Sequence, residues 1–268
     1  MSQETASGRP ASRCARATEL RQRAERRVES LVSALKGTLR VLVVDDDDDL
    51  LALFTANLQL CSLFDVHAAG TVEHARSLAG QGRWHCWLVD LYVPRIEDGM
   101  ALIRDYASAV PILVLSGRST GGDGYQASQK GIVGFLDKGA IDADTLIRRA
   151  YGIAVRRLLC PGYPSAGTDD EALAALFERS PGTVGEWAGL LSVTPRALER
   201  RIDAIAAVRP GTLLALQSLY ALAFRRCMSR GSDPICISRD EARLLRHYHQ
   251  RTSLMDALLS QHGATRAS

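Results

Sequence analysis

Val41-Leu42-Val43-Val44-Asp45-Asp46-Asp47-Asp48-Asp49 sets the reading of the whole chain. The apolar half has the length of a strand buried on both faces. Unpaired carboxylates cannot stay buried, so the chain must surface at Asp45. The pattern then recurs: Trp87-Leu88-Val89 ends at Asp90, Ile112-Leu113-Val114-Leu115 ends at Ser116, and Ile132-Val133-Gly134-Phe135-Leu136 runs to Lys138. Buried strands ending in polar groups predict an α/β fold with an open parallel sheet, whose carboxyl ends gather in one ligand-binding crevice.

The gathered set has a definite chemistry. Asp45, Asp46 and Asp90 crowded together would raise one another's pKa unless a cation sits among them. A hard ion held by few carboxylates and several waters suits Mg²⁺. Ser116 offers a hydroxyl donor and Lys138 a positive charge, the surroundings a phosphoryl group requires. A carboxylate can itself accept that group as an acyl phosphate. Chance would account for one polar strand end, but not for five complementary residues at four successive ends.

Residues 39–159 accordingly resemble a response-regulator receiver domain, the phosphoacceptor half of two-component signalling. The acidic pair after the first strand is matched by Asp45 and Asp46. The phosphoacceptor after the third is matched by Asp90 in Leu88-Val89-Asp90-Leu91-Tyr92-Val93-Pro94. Ser116 and Lys138 match the hydroxyl and lysine positions, and Phe135 the aromatic switch three residues before the lysine. The resemblance implies a doubly wound, five-stranded parallel sheet of the flavodoxin-like kind. It implies that Asp46, Asp90 and the carbonyl of Tyr92 ligate Mg²⁺, with Asp45 helping through water. It further implies that Ser116 and Lys138 bind the phosphoryl oxygens, and that Ser116 and Phe135 form the switch. A sensor histidine kinase or phosphotransfer protein is the implied donor, and a homodimer the implied phosphorylated state.

Three departures from the family stand out. Val93-Pro94 replaces Met-Pro, a volume-conserving change. The segment from Pro94 to Gly99 is one residue longer. Lys138-Gly139 replaces a Lys-Pro step that is normally cis; without proline a cis bond costs about 2.5–4 kcal/mol, so a trans bond is expected.

The composition fits a cytoplasmic protein: 268 residues, 46% hydrophobic, suffice for two modest domains, and no stretch has the length and purity of a membrane span. The six cysteines lack CxxC spacing and mostly lie in apolar segments, which predicts reduced, buried thiols. A net charge of +3 argues nothing about nucleic acid. Residues 1–38 read as a disordered tail, Met1 to Ala17, followed by a helix capped by Thr18 and ended by Gly37. Leu20, Ala24, Val28, Leu31 and Leu35 give it a narrow apolar stripe, expected to dock on the receiver. Thr120 to Lys130 should hold the receiver's fourth helix.

Residues 160–168, rich in Pro and Gly, read as a linker, and 169–268 as an all-α output domain. Thr183 to Leu191 predicts a short helix, Ser192-Val193-Thr194 a turn, and Pro195 the first position of a second helix. Ala188 is the small residue that lets two such helices approach, with Leu191, Val193, Leu198 and Ile202 as their core. Arg196, Glu199, Arg200 and Asp203 then project from the helix that would enter a major groove. The stretch Trp187 to Ile202 resembles the first helix-turn-helix of arabinose-regulator (AraC-type) domains, with Pro210 to Arg226 as the linking helix. Two functions follow: a phosphorylation-controlled regulator that binds promoter DNA, or an adaptor whose output domain binds a protein. An independent catalytic role is not expected, since no nucleophile–base set stands outside the receiver.

Overall fold

The computed structural model describes residues 10–117, 131–163, 170–203, 205–206, 208–229 and 235–248. Helix α1 (Pro10–Leu35) precedes β1 (Leu39–Val44), α2 (Asp48–Gln59), β2 (Phe64–Ala69), α3 (Val72–Ala79), β3 (Cys86–Asp90), α4 (Ile96–Tyr106), β4 (Ile112–Ser116), β5 (Gly134–Asp137) and α5 (Ala143–Leu159). Helices α6 (Asp170–Arg179), α7 (Val184–Leu190), α8 (Pro195–Asp203), α9 (Pro210–Met228) and α10 (Arg239–Tyr248) follow. The strands form one sheet in the order β2-β1-β3-β4-β5, and every neighbouring pair is parallel. This is the doubly wound arrangement of the flavodoxin-like fold, followed by an all-helical part.

Successive side chains of a strand point to opposite faces, so each strand feeds two cores. Leu42, Val44, Trp87 and Val89 face α3 and α4, and with Leu91, Leu102 and Ile103 they close one apolar layer. Leu39, Val41, Val43 and Leu88 face α2 and α5. This second layer does not stop at the receiver. It continues through Phe54, Leu58, Ile147 and Ala154 into Leu213, Leu216 and Tyr220 of α9. Tyr220 Oη donates to Thr38 Oγ1 at 3.1 Å, and Thr38 Oγ1 donates to the Leu35 carbonyl at 2.8 Å. Phe224 stacks on Tyr151 of α5 with ring centroids 3.9 Å apart.

The N-terminal segment departs from expectation. Helix α1 starts at Pro10, so Thr18 lies inside it rather than at its cap, and residues 10–17 are helical rather than a disordered tail. Val28, Leu31 and Leu35 are buried as the stripe predicts, but α1 packs on α9 and α10, and Arg226 pairs with Glu29 at 2.5 Å. The stripe finds its partner in the C-terminal helices because these already cover the α2–α5 side of the sheet. Gly37, at φ +67°, adopts the left-handed turn that ends the helix. The first residues of the linker are packed, not free: Cys160 and Tyr163 are buried, and the Arg157 guanidinium donates to the carbonyls of Pro161, Tyr163 and Ala109. The expected helix over Thr120–Lys130, residues 1–9, 164–169 and the C-terminal residues from 249 lie outside the described residues. No described helix is long and apolar enough to cross a membrane.

Candidate phosphoryl site and helix-turn-helix

The run of aspartates divides by task. Asp45 closes β1, its N–H donating to the Ala69 carbonyl at 3.2 Å, and its side chain is buried. Asp46 is exposed beside it. Asp47 caps α2, accepting from the N–H groups of Asp49 and Leu50 at 3.1 Å each, while its own N–H donates to Asp45 Oδ1 at 3.2 Å. Asp48 and Asp49 occupy the first helical turn, where the helix dipole favours negative charge. Two of the five carboxylates therefore face the crevice, and three start the helix.

Register does the rest. Val44 pairs with Val89, which brings Asp45 level with Asp90. Asp90 pairs with Leu115 and Ser116 with Asp137, which places Ser116 and Lys138 one step beyond on the next strands. Lys138 Nζ lies 2.6 Å from Asp45 Oδ2 and 2.8 Å from Asp90 Oδ2, and the Lys138 N–H donates to the Ser116 carbonyl at 3.2 Å. Burial pushes the Asp45 carboxyl up, against the pull of Lys138. Burial also pulls the Lys138 ammonium down, but its bonds to Asp45 and Asp90 outweigh this and hold it above its ordinary value. Asp46, Asp47, Leu50, Asp90, Tyr92, Pro94, Gly117 and Lys138 line a cleft of about 440 Å³. Phe135 sits half-buried on β5.

Carboxylate oxygens of Asp45, Asp46 and Asp90 lie within 4.8 Å of one another. Hard oxygen donors so close, two of them buried, fit a divalent cation such as Mg²⁺. The Lys138–Gly139 bond is trans, and the cis bond is Val93–Pro94. Gly99 is a residue that sequence reasoning did not mark: a Cβ there would come within 2.2 Å of the Leu91 carbonyl oxygen and 2.7 Å of that of Asp90. Only glycine lets α4 lie so close behind the end of β3. An isolated glycine in a helical pattern was the available signal.

In the C-terminal part, Thr183 Oγ1 accepts from the Glu186 N–H at 3.1 Å while the Glu186 carboxylate accepts from the Gly182 N–H at 2.8 Å, fixing the start of α7. Ser192, at φ +54°, turns the chain, and Thr194 Oγ1 accepts from the Ala197 N–H at 3.2 Å to cap α8. Ala188, Leu198 and Ile202 are buried, with Leu191 and Val193 half-buried. Trp187, fully buried, donates from Nε1 to the Ala172 carbonyl at 3.0 Å and so ties α7 to α6. Arg196, Glu199, Arg200 and Asp203 are exposed on α8.

Residues 41–151 match the family model of the response regulator receiver domain. Curated relatives include the transcriptional regulatory protein PrrA of Mycobacterium tuberculosis and of Mycobacterium leprae, each 34% identical over 121 residues. That match covers 44% of this chain and 51% of the relative, so the chain spans about half the length of the curated relatives it matches. Similar solved structures include the receiver domain of a Francisella response regulator (21% identity, TM-score 0.40, 44% of this chain and 98% of that one). Another is a response regulator of Chloroflexus aurantiacus (23% identity, TM-score 0.40, 44% and 98%).

Proposed function

We propose that this chain, whose residues 41–151 are a response regulator receiver domain, is a phosphorylation-controlled, cytoplasmic regulator that binds promoter DNA. The carrying observation is the meeting of Asp45, Asp46, Asp90, Ser116 and Lys138 at neighbouring strand ends. In this reading an Asp90 carboxylate oxygen attacks the phosphorus of a phosphohistidine, and the bond to the donor imidazole breaks. Asp45, Asp46, Asp90 and the Tyr92 carbonyl would hold Mg²⁺, which when bound neutralises charge on the phosphoryl oxygens. Lys138, already within reach of Asp90, follows the transferred oxygens, and the Ser116 hydroxyl donates to another. That movement vacates space for Phe135 to turn inward. The face formed by β5 and α5 changes with it, and this surface pairs two receivers in the phosphorylated state.

The exposed residues of α8 are the proposed DNA contacts, with α7–α8 as a helix-turn-helix of the AraC kind. A protein partner is the second reading, and one observation favours it: Arg196 and Arg200 share their face with Glu199 and Asp203, so the surface is not a basic stripe. Labelling with radioactive acetyl phosphate, on the parent and on Asp90→Asn, tests the first half. Gel shifts with genomic fragments over a range of salt test the second, since DNA binding must weaken steeply as salt rises.

A further inference from the structure

We propose that Cys61 and Cys227 form a redox site, in which a peroxide joins a receiver thiol to a thiol of α9 as a disulfide. Cys61 lies in the turn between α2 and β2, fully buried and held by its N–H bond to the Leu58 carbonyl at 3.1 Å. Its neighbour Ser62 places Oγ 3.4 Å from Cys227 Sγ. The Cys61 thiol itself donates to the Cys227 sulfur. Both are free thiols in a protein where cysteines were expected to be buried and inert; Cys227 is only half-buried and Cys236 is exposed.

The two sulfurs differ in character. The bond from Cys61, joined by those around Ser62, outweighs burial and lowers Cys227 to about 6, while giving that bond and being buried push Cys61 up. Cys227 is thus the thiolate at neutral pH, and the thiolate is the nucleophile. Burial pushes Cys160 up to about 12 and Cys86 higher still, so neither competes. The steps balance. Cys227 sulfur attacks one oxygen of hydrogen peroxide and the O–O bond breaks, giving a sulfenic acid and, with a proton, one water. Cys61 sulfur then attacks the sulfenic sulfur, the S–O bond breaks, and the hydroxide leaves with the Cys61 proton as a second water. Two thiols lose two electrons to one peroxide.

The bond would fasten α9 to the receiver beside the Thr38–Tyr220 contact and prevent the two halves from separating. This inference does not depend on phosphorylation or on DNA. The test oxidises the full chain with a few equivalents of hydrogen peroxide, alkylates the remaining thiols and digests with trypsin without reductant. Cys61 falls in the peptide Val41–Arg76 and Cys227 in Cys227–Arg230. The expected product is these two peptides linked, two hydrogens lighter than their sum and lost on adding dithiothreitol. Cys227→Ser should abolish it, whereas Cys236→Ser should leave its yield unchanged. Cys227 linked to another cysteine, linked only between chains, or oxidised to a sulfinic acid with Cys61 still alkylated would overturn the proposal. Cys61→Ser alters a buried position, so the link in the parent and its loss in Cys227→Ser carry the decision.

Discussion

The receiver crevice and the surface of α8 are built in opposite ways. In the crevice, Asp45, Asp90 and Ser116 are buried, held by register and by a shared lysine, so their positions leave little freedom. On α8 the buried residues Leu198 and Ile202 position the helix, while Arg196, Glu199, Arg200 and Asp203 stand in solvent. The crevice is specified by what its residues do to one another. The helix surface is specified only by what it will meet. Reactivity can therefore be argued from the first region, whereas the second yields a geometry that awaits a partner.

The sharpest way to break this contrast is at the crevice. Asp90→Asn should remove labelling by acetyl phosphate altogether, and Asp46→Ala should lose both Mg²⁺ binding, followed by fluorescence or calorimetry, and labelling. Normal labelling of either protein would mean that the buried arrangement is not the phosphoryl site. On α8, replacing Arg196 and Arg200 by Ala should weaken DNA binding by about 1–3 kcal/mol per base-reading arginine. Because both are exposed, stability should move by less than about 0.5 kcal/mol. Unchanged gel shifts would transfer the role of this face to a protein partner.

Smaller effects sharpen the comparison. Gly99→Ala should destabilise the protein by roughly 2–3 kcal/mol in denaturant unfolding, because the new methyl meets backbone rather than a side chain that can turn away. Labelling should slow as well, since the strand end carrying Asp90 must shift. Tyr220→Phe should cost about 1 kcal/mol, the worth of one hydrogen bond, with no effect on labelling of Asp90. A labelling defect there would show that the contact between α9 and the receiver reaches the crevice.

The receiver was legible because each of its strands is an apolar run ended by a group that cannot stay buried. The boundaries of β2 and the Thr71 cap follow from local chemistry alone, as does the start of α8 at Pro195. Long-range packing was not legible. Pro10 to Ala17 has a tail's composition, yet it continues a helix whose apolar stripe is covered by α9 and α10. The linker residues Pro161 and Tyr163 carry turn chemistry, but Arg157 pins their carbonyls from a helix that precedes them. Helix α6 went unread as a separate element because its signal, Ala172, Leu173 and Leu176, is short and acquires meaning only beside Trp187. The division of five identical aspartates into ligands, cap and first turn likewise needed the backbone.

The apolar layer running from Phe54 and Leu58 through Ile147 and Ala154 to Leu216 and Tyr220 has a thermodynamic consequence. Two domains joined by a loose tether melt separately; two that share one core melt together. Heating should thus give a single calorimetric transition whose van't Hoff and calorimetric enthalpies agree. Its heat-capacity change should reflect both halves, about 12–15 cal/mol/K for each residue of the joint unit. Anything that binds the native crevice would raise that one melting temperature. Occupancy of the aspartates would then be read out in the melting of α9, a helix that lends no residue to their cleft.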